Sequence, residues 1–202
     1  PQIMKSEGAD NRERMVRLSQ YASKYSFLLL ALVAIPIIAE MDTLLQVWLK
    51  DVPEHTGMFC RLMLVASLCD QITVGLTSAN QAIGNIKKYT LIFYTTKLLV
   101  IVAGWICLYK GLPIASVMWC YVVIELLTSL MRLPLMKWIA DIAIIPFCKH
   151  VFSRIILPLI AMIAVCYIMT SYVEYSYRVL LTIGASAIVG IAMIWLSALD
   201  KK

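Results

Sequence analysis

The sequence predicts an all-α fold, a polytopic transmembrane helical bundle of about six spans. Two observations support this prediction. The 202 residues are 61% hydrophobic and 15% charged, with a mean hydropathy of +0.83, whereas soluble domains are about half apolar and about a quarter charged. The apolar residues also form long runs, and a helix needs about 20 such residues to cross the hydrocarbon. Barrel strands would be about 10 residues of alternating pattern, so the runs favour helices.

Six apolar runs are long enough to cross a membrane, and each predicts one transmembrane helix. Their residues are 26–49, 58–80, 90–109, 113–133, 154–173 and 178–198. Backbone groups in lipid find no water, so each run must satisfy them within its own helix. Pro36 lies in the first run and predicts a kink there, because its ring removes one helical N–H.

Two further segments lie outside these runs. Over 9–25, apolar residues recur at helical spacing between arginines, which predicts an interfacial amphipathic helix within a cytoplasmic loop of residues 1–25. A solvated cytosolic helix is the alternative. The apolar segment 138–148 is too short to cross and contains Pro146, so we expect an interfacial connector over 134–153. The remaining parts are a four-helix unit over 26–133 and two additional helices with a short cytoplasmic tail over 154–202.

The distribution of lysine and arginine orients the predicted helices. Fourteen basic residues lie on the side that holds residues 1–25. The opposite side holds only Lys50, Arg61, Lys110 and Arg178. Because basic residues are enriched on the cytoplasmic side, we expect residues 1–25 and both ends of the chain to be cytoplasmic. This topology explains the net charge of +6, and the sequence indicates no nucleic-acid partner.

Neither the cysteines nor the known catalytic motifs indicate an enzyme. The six cysteines are Cys60, Cys69, Cys107, Cys120, Cys148 and Cys166. They form no CxxC pair, and most lie in apolar runs, where cysteine acts as a small hydrophobic residue. The sequence contains no HExxH, no GxSxG and no Gly-rich phosphate loop. We therefore predict a protein that is not an enzyme, without catalytic residues, cofactor or metal.

Polar residues of the second run fall on one face of its predicted helix. They follow steps of three and four and comprise Asp70, Thr73, Thr77, Asn80, Gln81 and Gly84. Since each residue turns a helix by about 100°, these residues share about a third of the circumference. An ionised aspartate near the bilayer centre costs roughly 2.5–3.5 kcal/mol. The polar face must therefore pack against other helices or be exposed to water.

The other three of the first four runs carry similar groups, so we predict a hydrated cavity between these four helices. The plain fifth and sixth helices would pack outside it. The candidate cavity residues are Asp70, Thr73, Thr77, Asn80, Gln81, Lys97, Glu125, Ser129 and Arg132, with Glu40 and Asp42 as further candidates. The alternative is that the Thr, Ser, Asn and Gln residues only hold helices together. Buried carboxylates, however, commonly mark ion or substrate paths.

Three stretches of the sequence resemble one known family. They are PQIMK at the start, LLQVWLKDVP at 44–53 and ANQAIGNIKKY at 79–89. In order and spacing they are similar to the carboxy-terminal half of bacterial polysaccharide flippases of the O-antigen and capsule type, in the superfamily that also holds multidrug extrusion transporters. The resemblance covers residues 1–135, and the last two spans would match the extra helices of fourteen-helix members. Lys50 stands where a glycine is expected.

The resemblance implies a fold and an activity. Family members have two six-helix lobes around a central cavity, so we expect this chain to be a piece of a longer protein whose amino-terminal lobe is missing here. The implied partner and substrate is an oligosaccharide on undecaprenyl pyrophosphate, moved across the bacterial inner membrane by alternating access among membrane lipids. We also expect a coupling proton or sodium ion at Asp70 or Glu125. The motif residues Pro1, Lys5, Gln81, Gly84 and Lys87 are implied to be structural.

Two alternatives share much of this evidence. An antiporter of drugs or organic cations on the same scaffold predicts an anionic, aromatic-rich cavity, and Arg132 and Lys97 argue against it. Those two cations suit a pyrophosphate instead, and they lie on the predicted cytoplasmic side. A membrane enzyme of glycan assembly would need large extracytoplasmic loops, and the predicted loops are short.

Overall fold

The computed structural model describes residues 2–8, 11–49, 51–84, 86–140, 142–172 and 177–198. Within these ranges the chain is almost entirely helical and has no strand. The helices are α1 (Gln2–Gly8), α2 (Arg12–Ala39), α3 (Met41–Trp48), α4 (Thr56–Gln71), α5 (Val74–Ile83), α6 (Ile86–Tyr109), α7 (Ile114–Ala140), α8 (Ile144–Tyr172) and α9 (Arg178–Met193), followed by a π-helical turn (Ile194–Ala198). The predicted all-α fold class is confirmed.

The helices have the length and composition of a multi-pass membrane protein. In the described part of the chain, α2, α6, α7 and α8 are each long and apolar enough to cross a membrane, and so is α9 together with the π-helical turn that follows it, over Arg178–Leu196. The pair α4 and α5 meets at a bend of 44° and makes a sixth span if counted together. Large apolar side chains such as Leu91, Ile101 and Trp105 of α6 are exposed. Such a surface is stable only against lipid or another protein, which agrees with about six predicted spans.

Helix α2 is the centre of the bundle. It packs against α5, α4, α8 and α9, while α7 lies between α4 and α6. The main core contains Leu28 and Ala31 of α2, Leu76 of α5, Met136 of α7 and Met162 of α8, all nearly inaccessible. Helix α6 is the least covered of the five single-helix spans.

The start of α2 differs from the expected arrangement. We expected a separate interfacial helix over 9–25 and a span from 26, but one helix runs unbroken from Arg12 to Ala39. Asn11 caps it by accepting a hydrogen bond from the Arg14 backbone N–H at 3.0 Å. Met15 and Ser19 are fully buried. The amphipathic pattern therefore reflects packing of the first turns of α2 against protein.

The predicted connector over 134–153 consists largely of the end of α7 and the start of α8. Helix α7 continues past Pro134 to Ala140, and α8 begins at Ile144. Pro146 lies in the first turn of α8, where its missing N–H removes no helical hydrogen bond. It therefore helps to start a helix where we expected it to interrupt one. The division of the chain into four segments stays a prediction.

The first two predicted spans are both interrupted. Helix α2 ends at Ala39, and α3 follows directly after Glu40. The Glu40 N–H donates to the Pro36 carbonyl at 3.0 Å, so the interruption falls one turn after the proline. Helix α4 ends at Gln71, and α5 begins at Val74. We call these interruptions the first break and the second break.

Gly75 allows α5 to lie directly on α2. A Cβ at this position would overlap the Ser19 carbonyl oxygen and lie 2.8 Å from the Ser23 Oγ. The Gly75 N–H donates to that same Oγ at 2.9 Å, which satisfies a donor that the first turn of α5 leaves free. Because the overlapped atom is backbone, a side-chain rotation cannot relieve the contact.

We therefore expect Gly75→Ala to lower the free energy of unfolding by about 3 kcal/mol, at the upper end of overpacking effects. Gly184→Ala in α9 is the matched control, because a Cβ there meets nothing within 4 Å. That substitution should be neutral or slightly stabilising. Thermal unfolding of both variants in detergent measures the difference, and equal stability of the two would contradict this account.

Candidate functional site: a charged cluster at the second break

The structure brings six of the predicted cavity residues together. They are Asp70, Thr73, Lys97, Glu125, Ser129 and Arg132, and we call them the charged cluster. Helix α4 contributes the aspartate, the second break the threonine, α6 the lysine, and α7 the other three. The helices α4, α6 and α7 thus meet at the point where the second span is interrupted.

Arg132 fills the second break. Its Nη2 donates to the Asp70 Oδ1 at 2.6 Å, and its Nη1 donates to the Asp70 carbonyl at 3.0 Å and to the Thr73 Oγ1 at 3.2 Å. The side chain of Arg132 is only 4% exposed. Backbone carbonyls freed by a helix interruption must find donors when no water is present. The guanidinium supplies those donors and neutralises the adjacent carboxylate.

A second set of hydrogen bonds fixes α7 to the end of α4. The Ser129 Oγ donates to the Cys69 carbonyl at 2.6 Å, and the Thr73 Oγ1 lies 2.9 Å from the Ser129 Oγ. Thr73 and Ser129 are both about 1% exposed. These bonds satisfy another carbonyl beside the second break, so its backbone groups are bound by side chains from α7.

Lys97 joins the two carboxylates of the cluster. Its Nζ donates to the Glu125 Oε1 at 2.7 Å and lies 3.8 Å from the Asp70 Oδ1. The Phe93 ring lies 5.0 Å from this Nζ and 4.5 Å from the Arg132 Cζ, in the geometry of cation–π contacts. Two cations thus balance two anions, which offsets part of the large cost of removing each ion from water.

The charged cluster is open along one edge. The side chains of Glu125 and Arg132 are almost fully buried, but those of Asp70 and Lys97 are 25% and 33% exposed. The exposed edge lies between α4 and α6. Described residues away from the cluster line pockets of about 240 to 480 Å³. That the cluster lines a substrate cavity stays a prediction.

Three predicted residues of the same polar face lie outside the cluster. The Thr77 Oγ1 is 2.9 Å from the Tyr89 hydroxyl. Asn80 is buried, and its Oδ1 has no hydrogen-bond partner among the described residues. Gln81 is exposed. The second break turns α5 away from α4, so residues that would share one face of a straight helix are separated.

Glu40 lies at the first break and forms a second cluster. Its carboxylate accepts hydrogen bonds from the Arg178 Nε at 3.1 Å, the Arg178 Nη2 at 3.0 Å, and the Thr182 Oγ1 at 3.0 Å. Arg178 also donates to the Thr43 Oγ1 at 3.1 Å. The Glu40 side chain is completely inaccessible. We call this set the Glu40 cluster, and it ties the start of α9 to the first break.

Asp42 makes a separate and more exposed ion pair. Its Oδ2 accepts from the Arg61 Nη2 at 2.7 Å, and the Arg61 Nε donates to the Ile38 carbonyl at 3.1 Å. The side chains of Asp42 and Arg61 are 69% and 34% exposed. An arginine from a neighbouring helix therefore satisfies a carbonyl beside the first break as well.

Sequence reasoning missed the partners of these groups. Phe93 and Tyr89 carry no polar signal that separates them from membrane anchors. Arg178 and Thr182 have the i, i+4 spacing of one helix face, which hints that α9 presents polar groups to the bundle. Nothing in the sequence connects that face with Glu40, which is 138 residues away.

The carboxylates, basic side chains and hydroxyl groups of the described residues are suited to ion pairing and to the recognition of polar molecules. Nowhere in those ranges do three His, Cys, Asp or Glu side chains approach one another closely enough to hold a metal ion. Comparison of the chain with models of protein families, with curated proteins and with solved structures finds no match. The chain is a multi-pass helical membrane protein with a charged cluster at an interrupted span.

Proposed function

We propose that the chain is part of a transporter that flips a lipid-linked oligosaccharide across a bacterial inner membrane by alternating access. The observation that supports this proposal most is the open edge of the charged cluster, formed by Asp70 and Lys97. A carboxylate and an ammonium group inside the membrane are unstable in contact with acyl chains. Their exposed edge therefore has to face water, a polar substrate or another polar protein surface, such as a second lobe.

The interrupted helices agree with a transport function. Discontinuous helices near the middle of the membrane are common in secondary transporters, because free backbone groups and side chains there bind substrate or ions. Both breaks in this chain have carboxylates beside them, Asp70 at the second and Glu40 at the first. A bundle held together only by apolar packing and hydroxyl groups would need neither the breaks nor the buried charges.

The chemistry of the open edge suits a sugar phosphate. Lys97 is the more accessible cation of the cluster, since Arg132 is buried and has three hydrogen-bond acceptors. An exposed ammonium group attracts a phosphate as a point charge, and carboxylates and hydroxyl groups accept hydrogen bonds from sugar hydroxyls. In this proposal a coupling proton or sodium ion binds at Asp70 or Glu125 when Lys97 turns to the substrate.

Deleting the gene tests the proposal directly. In a strain without a paralogue, we expect lipid-linked glycan intermediates to accumulate on the cytoplasmic leaflet and surface polysaccharide to disappear. Expression of the full-length protein should restore both. Normal surface polysaccharide in the deletion strain would rule out the flippase. Accumulation of an organic dye without any glycan defect would favour the antiporter.

Lys97→Gln is expected to reduce flipping about tenfold or more. A hydrogen bond to a charged group contributes about 1.5–3 kcal/mol, and 1.4 kcal/mol corresponds to a tenfold change in binding. Lys87→Gln is the matched control, because Lys87 is an exposed lysine at the start of the same helix. Its flipping rate should stay near that of the wild type. Both rates are measured with a lipid-linked oligosaccharide in proteoliposomes, and equal rates for the two variants would exclude Lys97 from the substrate path.

A further inference from the structure

Two cysteines of α6 and α7 face each other outside the charged cluster. The Sγ atoms of Cys107 and Cys120 are 3.5 Å apart, and both side chains are partly accessible. The two residues lie on either side of the short connection from Lys110 to Pro113. The thiols are thus in van der Waals contact across a helical hairpin.

The hairpin holds this pair at close range. Gly104 lies one turn before Cys107, and a Cβ there would be 3.1 Å from the Val117 Cγ1, which shows how closely the two helices approach. Helix α6 ends in a Schellman motif in which the Leu112 N–H donates to the Cys107 carbonyl at 3.0 Å. Gly111 adopts the left-handed conformation that this motif requires, with φ of 69°. The backbone at Cys107 is therefore fixed by the turn that brings α7 back.

The pair lies near one end of its helices. Cys107 is three residues before Lys110, a distance of about 4.5 Å along a helix. The distribution of basic residues predicts that Lys110 lies on the extracytoplasmic side, where disulfides form and persist. The sequence alone predicts that these cysteines act as small hydrophobic residues. Their contact becomes visible only in the folded hairpin.

We propose that Cys107 and Cys120 are a dithiol that a disulfide oxidant on the extracytoplasmic side converts into an intrachain disulfide. One thiolate attacks the oxidant's disulfide and forms a mixed disulfide, and the second thiolate then displaces the oxidant's thiol. The two cysteines lose two protons and two electrons as the Sγ–Sγ bond forms, and the oxidant is reduced to two thiols. The sulfur atoms must approach by about 1.5 Å to reach the bonded distance of about 2.05 Å, which is within the range of small side-chain rotations.

The disulfide would link α6 to α7, the helix against which it packs most extensively. In the described part of the chain, α6 packs against α7 and α5, and its charged link to α7 is the Lys97–Glu125 pair. An additional covalent link between Cys107 and Cys120, beside the connection of the two helices, would make α6 and α7 one rigid hairpin. Oxidation would thereby fix the position of Lys97 relative to α7.

Peptide mapping of the full-length protein tests the pair directly. Right-side-out membrane vesicles are treated with oxidised glutathione, free thiols are alkylated, and the protein is digested with trypsin without reduction. Because Lys110 separates the two cysteines, trypsin places them in different peptides, LLVIVAGWICLYK at 98–110 and GLPIASVMWCYVVIELLTSLMR at 111–132. We expect mass spectrometry to find these two peptides joined by a disulfide.

Substitutions complete the test. C107S should abolish the linked peptides, whereas C60S, which removes a cysteine of α4, should leave them unchanged. Recovery of both peptides only in the alkylated or glutathione-bound form would overturn the proposal. So would a linked product that survives C107S.

Discussion

Replacing Arg132 with alanine is expected to lower the free energy of unfolding by about 3–5 kcal/mol, the range found when one partner of a buried ion pair is removed. Arg132 is almost inaccessible and donates to the Asp70 carboxylate, the Asp70 carbonyl and the Thr73 hydroxyl. Its loss leaves a carbonyl of the second break without that donor. Lys97 lies 3.8 Å from Asp70 and replaces only part of the charge compensation.

Thermal unfolding in detergent measures this effect. Lys137→Ala is the matched control, because Lys137 is an exposed basic residue farther along the same helix. It should change the unfolding free energy by less than about 1 kcal/mol, as for exposed charges in general. Arg132→Lys should give an intermediate loss, because lysine keeps the charge but cannot donate in the planar fork of the guanidinium. Equal stability of Arg132→Ala and Lys137→Ala would show that the second break does not depend on the guanidinium.

The sequence was sufficient for the fold class because span length is set by the membrane. An apolar run of about 20 residues has few alternatives to a transmembrane helix. Members of the charged cluster could be predicted from the sequence for a related reason. A carboxylate or an arginine within an apolar run needs a polar neighbour, so Asp70, Glu125 and Arg132 stood out before any contact was known.

The two breaks were not predictable in the same way. Residues 70–74 contain neither glycine nor proline, and they continue the apolar and polar pattern of a helix. The second break is stabilised by Ser129 and Arg132, which lie about sixty positions later in the chain. Interactions between such distant residues leave no local signal. At the first break Pro36 did indicate a disturbance, but the interruption falls at Glu40, one turn later.

The extent of α2 shows how one pattern can have two causes. Alternating arginines and apolar residues over 9–25 suit a helix on a membrane surface, and they suit equally a helix end that packs on protein. The structure has the second arrangement from Arg12 onwards, because α1, α5 and α8 pack against α2. Only the presence of those neighbours distinguishes the two cases, and residues 9 and 10 lie outside the described ranges.

Both breaks share one construction. Each has a carboxylate beside the interruption, and in each an arginine from another helix donates to a backbone carbonyl beside the interruption. Arg132 does so for Asp70 at the second break, and Arg61 does so for Ile38 at the first. Each arginine also pairs with a carboxylate, the partly buried Asp70 at the second break and the largely exposed Asp42 at the first.

The Glu40 cluster tests how much a cation contributes to stability beside a buried carboxylate at the first break. Replacing Arg178 with alanine is expected to lower the free energy of unfolding by about 3–5 kcal/mol, because it leaves a buried carboxylate without its cation. The Glu40 side chain is completely inaccessible, and Arg178 supplies most of its hydrogen bonds. Thr182 still donates to Glu40 but cannot neutralise it. Because this cluster ties α9 to the first break, the loss should appear first as detachment of α9.

A second substitution distinguishes charge from packing. Glu40→Gln in the Arg178→Ala background removes the stranded charge but keeps the size of the side chain, so the double variant should be more stable than Arg178→Ala alone. Asp42→Ala is the control for an ion pair at the same break, and it should cost at most about 1 kcal/mol because that pair is largely exposed. Thermal unfolding and proteolysis near residue 177 report global stability and release of α9, respectively. If Glu40→Gln makes Arg178→Ala less stable still, then packing and hydrogen bonding, and not the uncompensated charge, determine the stability of this cluster.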